Sequence, residues 1–264
     1  MDDGLNWQSD MPNPAPADSI AAIYVTLASA WGRQHWWPAQ SRFEVIVGAY
    51  LTQNTSWANV ETALSTLRKA GVLNLTGIRN LPLRRLESLI RSSGYFRQKA
   101  RRLKTFVKFL DQRYRGSLTR MFAEPTHKLR DQLLALNGVG PETADSILLY
   151  AGQHPIFVVD AYTRRIAARH GILPEKAPYE NLRSRFERSL TQISCFPVGD
   201  ARNAGGASHK PSPMSLAKRS RQAQLFNEMH GLIVGVGKNY CMKSAPKCDA
   251  CPLKPLLPKA ATLN

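Results

Sequence analysis

The sequence predicts an all-α protein. Apolar residues recur at i, i+3 and i+4 spacing in one segment after another, the mark of helices that each bury one face. No region is rich in strands, and the short apolar run Pro155-Ile156-Phe157-Val158-Val159 stands alone. No internal repeat is visible. With 264 residues, the chain can form one large or two small domains around a sizeable core.

Residues 1–18 are polar, rich in Pro and Asp and aperiodic, and are expected to be a disordered tail. Ile20, Ile23, Tyr24 and Leu27 mark the first amphipathic helix. It runs into His35-Trp36-Trp37-Pro38. Two adjacent indoles cannot share one helix face: either they seal a domain junction, or they form a wall for a flat aromatic ligand. Ser41 suits an N-cap. Phe43, Ile46, Val47, Tyr50 and Leu51 then follow the helical pattern of a core element. The polar stretch Thr52-Gln53-Asn54-Thr55-Ser56-Trp57 is either a plain helix C-terminus or a loop whose amides and hydroxyls meet base edges. Val60, Ala63, Leu64 and Leu67 begin another helix, and Leu81, Leu86, Leu89 and Ile90 support one more.

Gly94-Tyr95-Phe96-Arg97-Gln98-Lys99-Ala100-Arg101-Arg102-Leu103-Lys104 is the densest basic stretch in a patterned segment. Its buried stripe is Ala100, Leu103, Val107 and Leu110. Arg97, Arg101, Arg102, Lys104 and Lys108 occupy the remaining face, and their single sign favours phosphate attraction over a merely solvated surface.

The most informative stretch is Leu136-Asn137-Gly138-Val139-Gly140-Pro141-Glu142-Thr143-Ala144-Asp145. Glycines open to unusual backbone angles and close approach bracket a turn. Pro141 suits the first position of a helix, which Ala144, Ile147, Leu148 and Ala151 continue. Upstream, Leu129, Leu133, Leu134 and Leu136 suggest a preceding helix. Helix, turn and helix N-terminus together present main-chain N–H groups to an anion, so this module is expected to grip a nucleic-acid phosphate. Downstream, Asp160 precedes the helical stretch Ala161–Arg169 and suits its N-cap. Phe186 and Leu190 extend a further helix. Residues 199–222, rich in Gly, Ser, Pro, Lys and Arg, are expected to be a flexible basic insertion. Leu225, Met229, Leu232, Ile233 and Val236 form a last core helix.

The formal net charge of +17 points to a polyanion partner. No run of about 18 apolar residues exists, so no membrane helix is expected. The acidic start, Met1-Asp2-Asp3-Gly4, lacks the apolar region of a secretory signal. Cytoplasmic placement follows, nucleoid-associated in a bacterium. Three of the four cysteines cluster near the C-terminus, which suggests a metal rather than disulfides.

These residues resemble the helix-hairpin-helix DNA glycosylases of the endonuclease III superfamily, over roughly residues 20–256 with 199–222 set aside. The hairpin Leu136–Gly140 and Val158-Val159-Asp160 carry the likeness. Trp36-Trp37-Pro38, Phe43-Glu44, Leu51-Thr52-Gln53-Asn54-Thr55, Gly94 to Ala100 and Glu142-Thr143-Ala144-Asp145 look like the 3-methyladenine DNA glycosylase branch. The resemblance implies two α-helical lobes with DNA bound across a cleft. Residues 42–153 would form a six-helix barrel carrying the hairpin; 19–41 and 154–258 would form the other lobe. A monomer acting on double-stranded DNA with damaged bases is expected, without a membrane.

The same resemblance assigns roles. Gly138, Val139, Gly140 and Thr143 would hold the DNA backbone. Gln53 would fill the gap left in the base stack, and Tyr95 would wedge from the opposite side. Trp36, Trp37, Pro38, Trp57 and Glu142 would line the base pocket, where indoles favour a cationic methylated purine. Asp160 would stabilise positive charge developing on the sugar and assist water. Where bifunctional relatives carry a Schiff-base lysine, this chain has Glu142, so a monofunctional enzyme with weak or absent lyase activity is expected. Excision of alkylated purines such as 3-methyladenine leads. The alternatives are a glycosylase for oxidised pyrimidines or mismatched bases, and a non-catalytic DNA-structure-binding protein. Cluster-bearing relatives show Cys-x6-Cys-x2-Cys-x5-Cys; here Cys241, Cys248 and Cys251 fill three positions and Leu257 the fourth. Over 241–257, a [4Fe–4S] cluster has a non-protein fourth ligand, recruits Cys195, or has been lost. A zinc site using His230 is the lesser possibility.

Overall fold

The computed structural model of the chain describes residues 19–193 and 209–258. The expected tail over 1–18, Cys195 and the first part of the 199–222 stretch lie outside the described residues. The described residues are helical throughout, without a β-strand: α1 (Ser19–Trp31), α2 (Arg42–Leu51), α3 (Trp57–Lys69), α4 (Leu75–Asn80), α5 (Leu83–Leu89), α6 (Phe96–Tyr114), α7 (Leu118–Met121), α8 (Thr126–Leu134), α9 (Pro141–Ser146), α10 (Ala161–Arg169), α11 (Tyr179–Thr191) and α12 (Arg221–Asn239). The all-α expectation holds. None of these helices is long and apolar enough to cross a membrane.

The chain divides into two compact units. One is Trp37–Val158 with Lys210–Asn227; the other is Met1–Trp36, Val159–His209 and Glu228–Asn264. In the first, α2 is the hub. Every residue from Phe43 to Leu51 is buried, which a helix achieves only when partners surround it. Those partners are α3, α6, α9 and the π-turn Ile147–Ala151 that extends α9. Ser41 caps α2 as its sequence predicts, accepting from the Glu44 N–H at 3.2 Å. Core side chains such as Ile46 and Phe106 are fully buried, and truncating one to Ala would cost about 2–5 kcal/mol.

Helix α6 buries the predicted stripe, but its cations do not all face solvent. Lys99 is 1 % exposed. Its ammonium donates to the Leu51 and Ser93 carbonyls at 2.8 and 2.6 Å. It thereby satisfies a carbonyl at the C-terminal end of α2, where a cation also suits the helix dipole. Burial, reinforced by the Arg102 charge, pulls Lys99 down to about 8. Lys104, read from sequence as part of a phosphate-attracting face, instead donates to the carbonyls of Ile78, Arg79 and Leu81.

The expected flexible insertion is also corrected over its described part. From Lys210 onward the chain folds with the first unit. The Ser212 hydroxyl accepts from the Ala39 N–H, and the Met214 N–H donates to the Ala39 carbonyl, both at 3.2 Å. Ser212, Met214 and Ser215 are buried. Arg219 donates to the carbonyls of Met214, Ser215 and Ala217. A composition of Ser, Pro and cations suggests a linker, yet these hydroxyls and this guanidinium satisfy a tight local turn.

In the second unit, α1 packs on α11 and on the turn Lys254–Leu256. Ile20, Ile23 and Leu27 meet this core alongside Leu182, Phe186 and Leu190, all fully buried or nearly so. Helix α10 lies so close to α12 that a Cβ on Gly237 would sit 2.2 Å from the Tyr162 ring. Only glycine permits that approach, and it brings the start of α10 against the C-terminal end of α12.

Candidate functional site

The hairpin sits between α8 and α9. Gly138 adopts φ +80°, a conformation strained for L-residues. Gly140 does not: its φ is −94° and a Cβ there would meet nothing within 4 Å. The backbone-freedom argument made from sequence therefore holds for Gly138 alone, while Gly140 keeps the approach to the loop open. Pro141 stands at the start of α9 as expected. The Val139 N–H closes the turn onto the Leu136 carbonyl at 3.1 Å and is therefore already used within the hairpin. The Val139 side chain is buried, and Glu142 is exposed in the first turn of α9.

Gln53 is fixed against this hairpin. Its Nε2 donates to the Gly138 carbonyl and to Thr143 Oγ1, each at 2.9 Å. Its Oε1 accepts from Arg102 Nη1 at 2.6 Å. Thr143, expected at the DNA backbone, is 7 % exposed and its hydroxyl holds Gln53. Tyr95 precedes α6 at φ 44° after Gly94 at φ 64°, and its side chain is 69 % exposed. A non-glycine residue in this region carries strain of about 1–2 kcal/mol, here spent on presenting an aromatic ring to solvent.

The adjacent indoles fall into different clusters. Trp37 meets Trp57 edge-on at 4.9 Å and Tyr150 at 5.1 Å. Trp36 belongs to the other unit and tilts against His209 at 5.6 Å and His230 at 6.0 Å. Both are 5 % exposed. Pro38 and Trp57 are partly exposed, and the Trp57 Nε1 is buried without a hydrogen-bond partner in the protein.

Asp160 caps α10. Its Oδ1 accepts from the Thr163 N–H at 2.7 Å and the Thr163 hydroxyl at 2.9 Å. The other oxygen, Oδ2, lies 3.6 Å from His230 Nε2, and the carboxylate side chain is 13 % exposed. The cap thus uses Oδ1 alone and leaves Oδ2 out of it. Burial pushes His230 below the ordinary imidazole value, and the Asp160 charge opposes that shift. Burial raises Tyr162, assisted by the same carboxylate. Sequence reading did not foresee the pairing of Arg102 with Gln53, of Arg130 with Asp145 or of His230 with Asp160. Arg102 was visible within the basic run, but only as one phosphate-facing cation among several.

Cys241, Cys248 and Cys251 are unbridged and line one pocket with Arg169, His170, Lys254 and Leu257. Arg169 Nη1 donates to Cys241 Sγ at 3.1 Å. Burial raises the Cys251 thiol, and the Cys241 and Cys248 charges add to it. Among the described residues, no set of three or more His, Cys, Asp or Glu side chains is arranged to hold a metal ion. His230 is turned to Asp160, which argues against its service in a zinc site. Leu257, an aliphatic that cannot ligate, lines the same pocket as the three thiols.

Comparison with known proteins agrees with this geometry. Residues 47–192 match the profile of the HhH-GPD superfamily base excision DNA repair proteins. A protein of Methanocaldococcus jannaschii, provisionally assigned as a DNA repair glycosylase, is 40 % identical over 90 % of this chain and 94 % of its own. The mouse endonuclease III-like protein 1 is 28 % identical over 98 % of this chain and 74 % of its own. Among solved structures, the H. pylori 3-methyladenine DNA glycosylase bound to 1,N6-ethenoadenine superposes with a TM-score of 0.65 at 28 % identity, covering 83 % of this chain and 96 % of that one. An endonuclease III–DNA covalent intermediate shares the fold, with a TM-score of 0.67 at 21 % identity over 94 % and 97 %. The chain thus belongs to the HhH-GPD superfamily of base excision DNA repair proteins.

Proposed function

We propose that the chain is a monofunctional glycosylase that excises alkylated purines, 3-methyladenine foremost, from double-stranded DNA. The Trp37–Trp57 pair carries this reading: two indoles 4.9 Å apart beside the polar loop of Gln53. Electron-rich ring faces favour a cationic methylated purine over a neutral base. The similarity to the H. pylori enzyme, a 3-methyladenine DNA glycosylase by name, supports the same class.

A base within a duplex is out of reach, so it is flipped out at a cost of a few kcal/mol. The amides flanking Val139 hold a backbone phosphate, Gln53 fills the vacated stack and Tyr95 separates the neighbouring bases. The Asp160 carboxylate stabilises positive charge on the sugar as the N-glycosidic bond breaks and assists water at that carbon. Methylation has already made the base a good leaving group, so proton donation to it is a minor need. Glu142 cannot form an imine, so hydrolysis ends the reaction.

Incubating the protein with methylated and with oxidised duplexes, beside Asp160→Asn, tests this. Release of methylated purines by wild type alone is expected. Preferential release of oxidised pyrimidines, or equal release by the variant, would overturn it. Borohydride should trap no covalent enzyme–DNA adduct; an adduct that depends on the 136–145 loop refutes the monofunctional reading.

The proposal extends to Cys241, Cys248 and Cys251 as three thiolate ligands of an iron–sulfur cluster whose fourth ligand is not a protein thiolate. Such a cluster would order the 241–257 loop. Anaerobically purified protein should then absorb broadly near 400 nm and contain iron, and Cys248→Ser should lose both. Colourless, iron-free wild-type protein ends this part of the reading.

A further inference from the structure

We propose that Arg102 is a positioning residue that sets the Gln53 amide against the hairpin, so that Gln53 is already oriented when DNA arrives. The inference rests on the reading of Gln53 as the residue that fills the vacated stack. Three observations carry it.

The first is the direction of the amide. An unrestrained glutamine amide can turn over, exchanging its donor and acceptor ends. Here Oε1 faces a guanidinium at 2.6 Å, and Nε2 faces two oxygens at 2.9 Å. Turning it over would set N–H against N–H at Arg102, and oxygen against the Gly138 carbonyl. The charged group at Oε1 makes the strongest of the three bonds, because charge-assisted hydrogen bonds are roughly twice as strong as neutral ones. Arg102 therefore decides which end of the amide meets the hairpin.

The second is contact with the hairpin itself. A Cβ built on Gly138 would lie 2.0 Å from Arg102 Nε and 2.5 Å from its Cδ and Cζ. The arginine stem thus crosses directly over the Gly138 Cα. Gly138 needs to be glycine for this reason as well as for its φ of +80°. One side chain touches both the phosphate-gripping turn and the stack-filling residue, so motion of either is felt by the other.

The third is the company Arg102 keeps on α6. Lys99 and Lys104 spend their charges on main-chain carbonyls. Arg102 directs its charge to a side chain of the candidate site. A lysine there would supply a point charge without a planar fork, and would fix neither the amide nor the stem across Gly138.

The test is gap filling, read apart from base identity. A duplex carrying an abasic-site analogue flanked by 2-aminopurine reports unstacking by fluorescence, and wild type, Gln53→Ala, Arg102→Met, Arg102→Lys and the double variant Gln53→Ala/Arg102→Met are compared. Gln53→Ala should lose most of the fluorescence change. Arg102→Met should lower it several-fold and lower kcat by about tenfold with little change in KM, since its interaction matters at a step after binding. The double variant should match Gln53→Ala alone, because Arg102 acts through Gln53. Arg102→Lys should retain the salt dependence of DNA binding yet resemble Arg102→Met in fluorescence, which also guards against misfolding of the methionine variant. If Arg102 were only a phosphate contact, its loss would weaken binding, reduce the salt slope by about one and add to the Gln53 effect. Additivity, or full rescue by lysine, overturns the proposal. Equal signals from wild type and Gln53→Ala refute the gap-filling reading and the inference with it. A difference between those two with unchanged Arg102→Met refutes the inference alone.

Discussion

Two carboxylates close in sequence are held in opposite ways. Asp145, in α9, is fully buried and grips Arg130 with both oxygens, at 2.7 and 3.2 Å. Asp160, at the start of α10, commits one oxygen to Thr163 and turns the other to a buried imidazole 3.6 Å away. Asp145 is neutralised by a geometry suited to bidentate pairing, and its region is a fixed support for the hairpin helix. Asp160 turns its second oxygen to an imidazole instead of a guanidinium, with its side chain 13 % exposed. The difference teaches that a carboxylate near the hairpin is not a functional signal in itself; what distinguishes the two is how much of each is already used.

The sharpest way to break this comparison is Asp160→Asn. Asparagine caps a helix about as well as aspartate, so thermal melting should hardly change, while base release should fall by roughly 10²–10⁴-fold. Asp160→Ala should lose the same activity and also about 1 kcal/mol of stability. If Asp160→Asn kept full activity, the two carboxylates would differ in structure only. Asp145→Ala should behave inversely. Losing the ion pair with Arg130, whose side chain is 14 % exposed and can be partly hydrated, costs about 1–3 kcal/mol, seen in urea denaturation. Activity per folded molecule should survive at low temperature, and a stable but inactive variant would place chemistry at Asp145.

The smallest effect is acid sensitivity. Burial holds His154, His170 and His230 below the ordinary imidazole value. In each case the unfolded chain binds the proton more tightly. Stability from these groups is therefore complete above the unfolded value of about 6.5 and drains as pH falls below it, by at most about 1.4 kcal/mol per pH unit for each responding group. Urea midpoints at pH 7.5 and 5.5 should fall in that order, and His230→Gln should soften the drop. A flat profile would show that protonation of these imidazoles is not costly in the folded protein.

Much of the architecture was legible because periodicity reports burial directly. Ile46, Leu103, Phe186 and Leu232 were readable as core positions by helical spacing, and each is buried. Ser41 as a cap and Pro141 as a first helical residue were readable because both act on neighbours a few residues away. Less legible was the spending of charge. Lys99, Lys104 and Arg102 stand in one basic run, yet each is tied to a partner far away in sequence. Ser212 likewise meets a distant partner, the Ala39 N–H, whereas Arg219, read from composition as part of a linker, bonds within its own turn.

By itself, then, the sequence determined the helical class, the hairpin with its glycine at Gly138 and the position of Asp160 at a helix start. These are local properties, set by backbone angles, side-chain chemistry and short-range spacing. Only the tertiary structure decided that Thr143 holds Gln53, that Arg102 lies across Gly138, that Trp36 and Trp37 serve different clusters and that His230 faces Asp160. Each of those depends on side chains brought together by packing from distant parts of the chain, and a charged or polar residue acquires its role from the partner it meets there.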